Sequence, residues 1–451
     1  MIRRRTENQN IKEYRCDVAV IGGGVAGVMA AAAAGKCGAR TLLVESDSCV
    51  GGVVTMGPLE ALMTQYDSDH KIIGGLVQEL LDSLYRFSSP QAVTVNDTTG
   101  YCRKIVPYNP EYLKMQLMEL VFRYHVEVLL NTTLTDVTMT KGRITSVLLQ
   151  TKNAPIRVYA KAFIDCTGSG FLGYMAGCDV FSGDDAGCHQ PVTVLSRWGN
   201  VDGKKLRDYV RENPQSFKTF DTEIDLNAQY LHLWGFSDAL KDGYQSGALQ
   251  LKREEMHLME CVVPGEVIVN FSRINADPFD AFAMSRAQEE GIRQTVELFE
   301  YFRSRIEAFH YAEIIQIGSV GIRESGRVCG RYVLDRDDVI KGEKCKEDDC
   351  VAYGAFPIDI HQPGSGMHFE RVLRGYRIPA DALRAEQISN LFMGGRCISS
   401  TFEANASCRI SMTCMATGQA AGVMAYENAV YGDEQLTKRT RETLRKLNAI
   451  L

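Results

Sequence analysis

The chain lacks several things that would decide its class at once. Its 14 cysteines form no C-x-x-C pair and no dense short-spaced framework. That excludes a small disulfide scaffold and suits reduced thiols, so a cytoplasmic setting is expected. Cys345 and Cys350 form a C-x4-C pair, but no further soft ligand stands near them, so no metal site is expected. Strong charge of either sign is missing too. The net charge of −6 argues against nucleic acid or an anionic membrane as the main partner. The basic start has no apolar segment behind it, which speaks against a secretory signal. Neither internal repeats nor low-complexity segments are evident. The apolar stretch Val18 to Gly35 carries a glycine cluster and strand–helix periodicity, so it reads as a βαβ unit and no membrane span is expected.

That stretch organises the rest. Val18 to Ile21 reads as a buried strand. Gly22, Gly24 and Gly27 follow at G-x-G-x-x-G spacing, a helix spans about Val25 to Lys36, and a second strand, Thr41 to Val44, ends on Glu45. In this pattern the first glycine makes the turn, the second lets a pyrophosphate approach the backbone, and the third lets helix and strand pack closely. The helix start, with free N–H groups and a positive dipole end, holds phosphate charge. Glu45, eighteen residues past Gly27, is placed to accept from ribose hydroxyls. Gly51 and Gly52 offer a second backbone approach to a cofactor.

Further along, Gly74 to Phe87 reads as a helix with Leu76, Leu80, Leu84 and Phe87 on its buried face, and Gln91 to Arg103 as loop. Asn109-Pro110-Glu111 marks a helix start. Three alternating segments, from Leu134 to Tyr159, read as an antiparallel meander turning at Lys141-Gly142. Phe163 and Ile164 form a short strand ending in Cys166-Thr167-Gly168. Gly168, Gly170 and Gly173 repeat the glycine spacing, but no second strand ending in an acid follows. This strand end is therefore expected to join the first cofactor site rather than to bind NADPH. Val192 to Leu195 and Val267 to Phe271 read as strands. Ala281 to His310 reads as a helix with Ile292, Val296, Phe299 and Ile306 as its stripe. Ile317 to Asp338, rich in Arg and Gly, reads as shaped loop and strand, and Ala355 to His361 as a strand. Leu391 to Gly395 reads as a buried strand, Cys397 to Arg409 as a loop, and Ser411 to Ala429 as a helix capped by Ser411. Its small residues suit close packing, and its positive end suits electron-rich cofactor oxygen.

The expected fold class is α/β: a Rossmann-like dinucleotide-binding domain with a β-meander, plus an inserted α+β substrate or cap domain. The expected divisions are 14–189, 190–370 and 371–451.

The chain resembles bacterial FAD-dependent oxidoreductases of the glutathione-reductase-like superfamily, akin to the flavin subunits of fumarate reductases and heterodisulfide reductases. The resemblance rests on VIGGGVAGVMAAAAAG, Gly51-Gly52, IDCTGSG, GIRESGRVCGRYVLDRDDV, FPIDIH, and the run from LFMGGRCIS to SCRISMTCMATGQAAG. It implies noncovalent FAD. Gly22, Gly24, Val25, Ala26 and Gly27 would hold the pyrophosphate, and Glu45 with Ser46 the adenosine ribose. Leu134, Thr167 and Gly168 would lie on the adenosine side, and Gly395 with Arg396 at the ribityl turn. Ser411 and Met412 would face the isoalloxazine O2. Three departures stand out. Arg396 follows the ribityl glycines where many relatives carry an acid, Met412 replaces a usual Pro, and Phe402 replaces a common His before Glu403. No active-site disulfide follows the first motif, so disulfide reduction is not supported. His70 would be the residue for a covalent flavin link.

FAD carries the redox chemistry, and the protein must fix the substrate and move a proton. Arg323, Glu324, His361 and Arg409 are the candidate catalytic residues, with Arg396 and Glu403 behind them. The arginines suit a carboxylate or a polar hydroxylated substrate, and His361 or Glu324 suits acid–base work. The expected partners are a small-molecule substrate and an unknown electron acceptor or donor, with a homo-oligomer compatible. The reading is hydride transfer between a small polar organic molecule and FAD. Its rivals are fumarate-reductase-like C=C reduction, a flavin module passing electrons between proteins, and a nicotinamide enzyme using the same motif.

Overall fold

The computed structural model describes residues 11–86, 94–220, 222–342, 344–364 and 366–451. Phe87 and the first ten residues lie outside them. A five-stranded parallel sheet forms the first layer. Its order is Leu391–Met393, Ala162–Asp165, Val18–Ile21, Thr41–Val44, Glu127–Leu129. The first four of these strands are buried throughout, as continuous apolar runs in a covered parallel sheet are.

Two helices with few large side chains lie together on this sheet, Val25–Lys36 and Ser411–Tyr431. Gly418 and Gly422 make the contact. A Cβ on Gly418 would lie 2.1 Å from the carbonyl oxygen of Ala26, and one on Gly422 2.1 Å from that of Ala30. The small residues of the second helix are therefore explained by backbone-to-backbone packing.

The meander runs through Thr133–Thr140, Arg143–Gln150 and Pro155–Tyr159, turning at Lys141 and Gly142, both with positive φ. A fourth strand, Lys12–Arg15, pairs parallel to Pro155–Tyr159. Nothing in its exposed, charged sequence announces that partner. The helix Pro110–Arg123 is capped by Asn109, whose side chain accepts from the N–H groups of Glu111 and Tyr112.

The second sheet is antiparallel, in the order His232–Gly235, Met256–Glu260, Val267–Asn270, Ser196–Gly199, Glu313–Ile317. Side chains alternate between its faces. Trp198, Leu233, Leu258, Val267 and Val269 pack with Leu298 and Phe302 of the helix Ala281–Arg305. The opposite face carries His232, Trp234, His257, Met259 and Asn270.

The structure corrects several expectations. The strand placed at Val192 to Leu195 is found at Ser196–Gly199. The preceding residues are held instead by Ser272, whose carbonyl accepts from Thr193 Oγ1 and whose Oγ accepts from the Val194 N–H. The long helix buries Gly291, Gln294, Thr295, Leu298 and Phe302, and Ile292 is exposed. Gly291 sets that face, because a Cβ there would lie 2.3 Å from Val194. The expected loop Cys397 to Arg409 contains the helix Phe402–Cys408, capped by Thr401. Ser411 does not cap its helix; Ile410 stands at that position with no side-chain hydrogen bond. Packing divides the expected insertion, 190–370. The core of the second sheet ends near Ile314, whereas Val328, Leu334, Val339, Val351 and Ile358 pack into the core of the first.

Replacing Gly422 with Val forces the two helices apart. We expect destabilisation of about 1–3 kcal/mol, read as a lower denaturant midpoint with little change in slope. An unchanged midpoint would show that the close approach is dispensable.

Candidate active site

The C-terminal ends of the parallel strands all open on one edge, where ligands bind in such sheets. A cavity of about 540 Å3 follows that edge. Taken in sheet order, its lining passes from Thr132–Leu134 and Glu45–Asp47, through Gly22, Gly24 and Val25, to Cys166–Ser169 and Gly394–Arg396. Beyond the last strand it widens under the second sheet.

The three glycines of the first motif do different work. Gly22 has φ +101°, and a Cβ there would strike the carbonyl of Cys166 at 2.3 Å. A Cβ on Gly27 would lie 1.8 Å from the Gly22 carbonyl oxygen, so Gly27 seats the helix on the turn and does not line the cavity. At Gly24 a Cβ would meet nothing within 4 Å. That open cradle at the start of a twelve-residue helix is the shape a pyrophosphate requires. Gly51 and Gly52 face it, with Gly51 bridged to Gly24. Glu45 accepts from the Gly23 N–H at 2.6 Å and from the Asp47 N–H at 2.8 Å, which fixes its carboxylate at the cavity wall. Arg396 donates to the carbonyls of Gly168 and Ile322, tying the ribityl-side turn to both neighbouring segments. The Ser411 hydroxyl is buried, lines the cavity and has no partner within the protein.

The widened end is polar. Arg323, Asp359, His361 and Arg409 line it. Asp359 lies 3.0 Å from His361 Nε2 and 3.6 Å from Arg409. Burial opposes its charge, but His361 and the two arginines outweigh that and hold the carboxyl well below the usual range. Arg323 is pushed down to about 9 by burial and by the like charges of Arg409 and Arg273. Burial and Arg323 lower His361 to about 3, so the ring is neutral. Both of its nitrogens are occupied, since Arg273 donates to Nδ1 at 2.9 Å and Asp359 takes Nε2.

Two further carboxylate–histidine pairs stand at this end. His232 Nδ1 lies 2.8 Å from Asp97, and His257 Nδ1 lies 3.3 Å from Glu60. Both histidines line the cavity, and neither Nε2 has a partner. Sequence reading missed all four residues. The available signal was a histidine at alternate positions in two apolar strands, which without a fold reads as ordinary core.

Comparison with known proteins decides the family. The sequence model described as FAD dependent oxidoreductase matches residues 17–438. The chain belongs to that family. Its fold is shared with a geranylgeranyl bacteriochlorophyll reductase-like protein from Thermoplasma acidophilum (TM-score 0.50, 13% identity, covering 96% of this chain and 84% of the other). It is also shared with the flavin-dependent halogenase CmlS (TM-score 0.51, 12% identity, covering 96% and 62%). An L-proline dehydrogenase from P. horikoshii aligns at TM-score 0.44 and 12% identity, covering 96% of this chain and 99% of the other. The residues of the cavity fit FAD: an open pyrophosphate cradle, a carboxylate beside it, and a free hydroxyl at a helix start.

Besides Gly27, two expected site residues of this FAD-dependent oxidoreductase lie off the cavity. Glu324 does not line the cavity. Its carboxylate is taken by His189 at 2.7 Å, by Arg327, and by the Gly183 N–H at 2.9 Å. Met412 is buried, and its N–H donates to the Met63 carbonyl at 3.1 Å instead of facing a ligand. Val25, Ala26, Ser46, Leu134, Thr167, Gly168, Gly395 and Ser411 do line it. Among the described residues no helix is long and apolar enough to cross a membrane.

Gly24→Val places a side chain in the open cradle without touching the fold. We expect the purified variant to carry much less FAD while the flavin-free protein unfolds at the wild-type temperature. Full flavin content would show that the cradle does not hold the pyrophosphate.

Proposed function

We propose that this FAD-dependent oxidoreductase moves a hydride between a small hydroxylated carboxylic acid and noncovalently bound FAD. The observation that carries the reading is the pair of guanidiniums, buried Arg323 and partly buried Arg409, on the wall of the widened end. Asp359 is the carboxylate nearest Arg409, and it also serves His361. Burial, together with the like charges of Arg409 and Arg273, depresses the pKa of Arg323. A substrate carboxylate pairs with it through charge-assisted hydrogen bonds.

Bound FAD supplies the two-electron acceptor or donor. The chain's residues do the rest. Arg323 and Arg409 hold the carboxylate and so fix which carbon faces the cofactor. His361, neutral and bonded at both nitrogens, positions Asp359 and Arg273 rather than carrying a proton. Tyr101 and Phe356 line the site, with Trp234 packed edge-on behind Tyr101, and this apolar wall lowers the effective dielectric and strengthens each charged contact. The same enclosure favours a direct small-molecule substrate over electron exchange between proteins.

The test is anaerobic bleaching of the visible flavin band with no partner protein present. Glycolate, lactate, malate and tartrate are the acids to offer, with glycerol and glucose as uncharged controls. At least one acid is expected to bleach the flavin, and the controls are not. Arg323→Met relieves repulsion with Arg409 and Arg273, so the variant is expected to fold and keep FAD. Its apparent affinity for the active acid should fall about 30-fold or more. Bleaching by no small molecule, or an unaltered affinity in the variant, would defeat the reading.

A further inference from the structure

We infer that His232, held by Asp97, takes the proton from the substrate hydroxyl during oxidation and returns it during reduction. The inference rests on the hydroxy-acid reading above.

Asp97 is anchored on every side. Its Oδ1 accepts from the Thr99 N–H at 3.0 Å and the Thr99 hydroxyl at 2.9 Å, and its Oδ2 from the Cys102 N–H at 2.8 Å. Burial opposes the charge, yet His232 and these donors hold the carboxyl below its usual range. An ionised carboxylate only accepts, so the neighbouring Nδ1 of His232 must carry the hydrogen. In the neutral ring the lone pair is then on Nε2, which is buried and has no partner among the described residues, on a residue that lines the cavity. The backbone is clamped as well, since His232 N–H donates to Thr98 Oγ1 at 2.9 Å and its carbonyl accepts from the same hydroxyl. Tautomer, ring direction and strand position are all fixed before any ligand arrives.

Neither other histidine of the cavity matches this. His361 has no free nitrogen. His257 has a free Nε2, but burial and the charge of Arg253 push its proton affinity down despite Glu60. For His232, burial is outweighed by Asp97 and Glu60, and its proton affinity is raised. The groups facing it are Asp97 from the loop before Tyr101, Glu60 from the loop after Pro58, and His257 from the adjacent strand. Arg323, Asp359 and Arg409 stand on the same cavity wall.

The step balances. The substrate's C–H electron pair leaves as hydride to FAD, the O–H proton passes to Nε2, and the carbon–oxygen double bond forms. The substrate loses two electrons, FAD gains two, and the imidazolium sheds its proton to solvent after product leaves. Asp97 is a positioning residue that also stabilises the imidazolium.

The experiment uses the FAD-loaded protein and oxalate, an inert dianion, followed by calorimetry and by the flavin spectrum over about pH 6 to 9. A raised proton affinity means the protonated ring predominates below its pKa, where it donates to the anion. Oxalate affinity should therefore fall about tenfold per pH unit above that pKa, with one proton taken up on binding. In His232→Gln the slope and the proton uptake should vanish while affinity at high pH persists. With an acid that bleaches the flavin, this variant should slow flavin reduction about 100-fold or more. Asp97→Asn should move the break in affinity down by about one pH unit or more, and it carries the test if His232→Gln fails to retain FAD. An unchanged slope in His232→Gln, or an unmoved break in Asp97→Asn, would overturn the inference and leave the anion site standing. Failure of oxalate to bind the wild type at any pH would overturn the anion-site reading and this inference with it.

Discussion

Everything in this fold depends on how closely two helices approach. Val25–Lys36 follows the first strand, and Ser411–Tyr431 comes near the end of the chain. Gly418 and Gly422 let the second helix lie on the carbonyls of Ala26 and Ala30. That contact carries Gly394–Arg396 and Ser411 to the cradle built by Gly22 and Gly24. Without it, the cavity would have its adenosine side and no far end. At this distance no side chain larger than hydrogen fits, so the packing tolerates little sequence change.

The parts legible in the sequence are those where one local rule decides. Strand, glycine turn, helix, strand and acid occupy consecutive positions from Val18 to Glu45, and each element follows from propensity and spacing alone. Asn109-Pro110 announced a helix for the same reason. The active end was poorly legible because its pairs are distant along the chain. Asp97 and His232 are 135 residues apart, and a register of the second sheet brings His257 opposite Trp234. A one-residue shift in that register would turn the histidines into the apolar core. Glu324 shows the opposite failure. Its Arg- and Gly-rich segment made it a candidate, but the partners that consume it, His189 and Arg327, could not be known without the fold.

Buried charge decides what the widened end can do. Asp359 alone faces His361, Arg409 and the field of Arg323, and its carboxyl stays ionised in spite of burial. A buried charge is retained only where partners offset its desolvation. Here the partners are cationic in excess, which favours an anionic ligand and keeps His361 neutral. The same field bears less on His232, because Asp97 lies against its ring at 2.8 Å and Glu60 adds to the effect. One cavity thus holds a neutral histidine and a proton-hungry one, separated by their nearest carboxylates and arginines rather than by their exposure.

The division of labour follows from sheet geometry. The parallel sheet meets the cavity only at its strand ends, which present backbone, glycine and a few polar side chains, Glu45 and Asp47 among them. The antiparallel sheet has one face packed by the helix Ala281–Arg305 and the other turned to the cavity. Substitutions at His232, His257 or Asn270 leave the layer formed by Leu233, Leu258 and Val269 untouched, whereas Trp234 and Met259 on the same face belong to an apolar cluster with Tyr101 and Phe356. Backbone approach constrains the cofactor cradle, and side chains of the second sheet line the other end of the cavity. The glycine spacing thus serves the fold and the cradle, and the residues that would set this chain's chemistry are ones that a sequence motif does not contain.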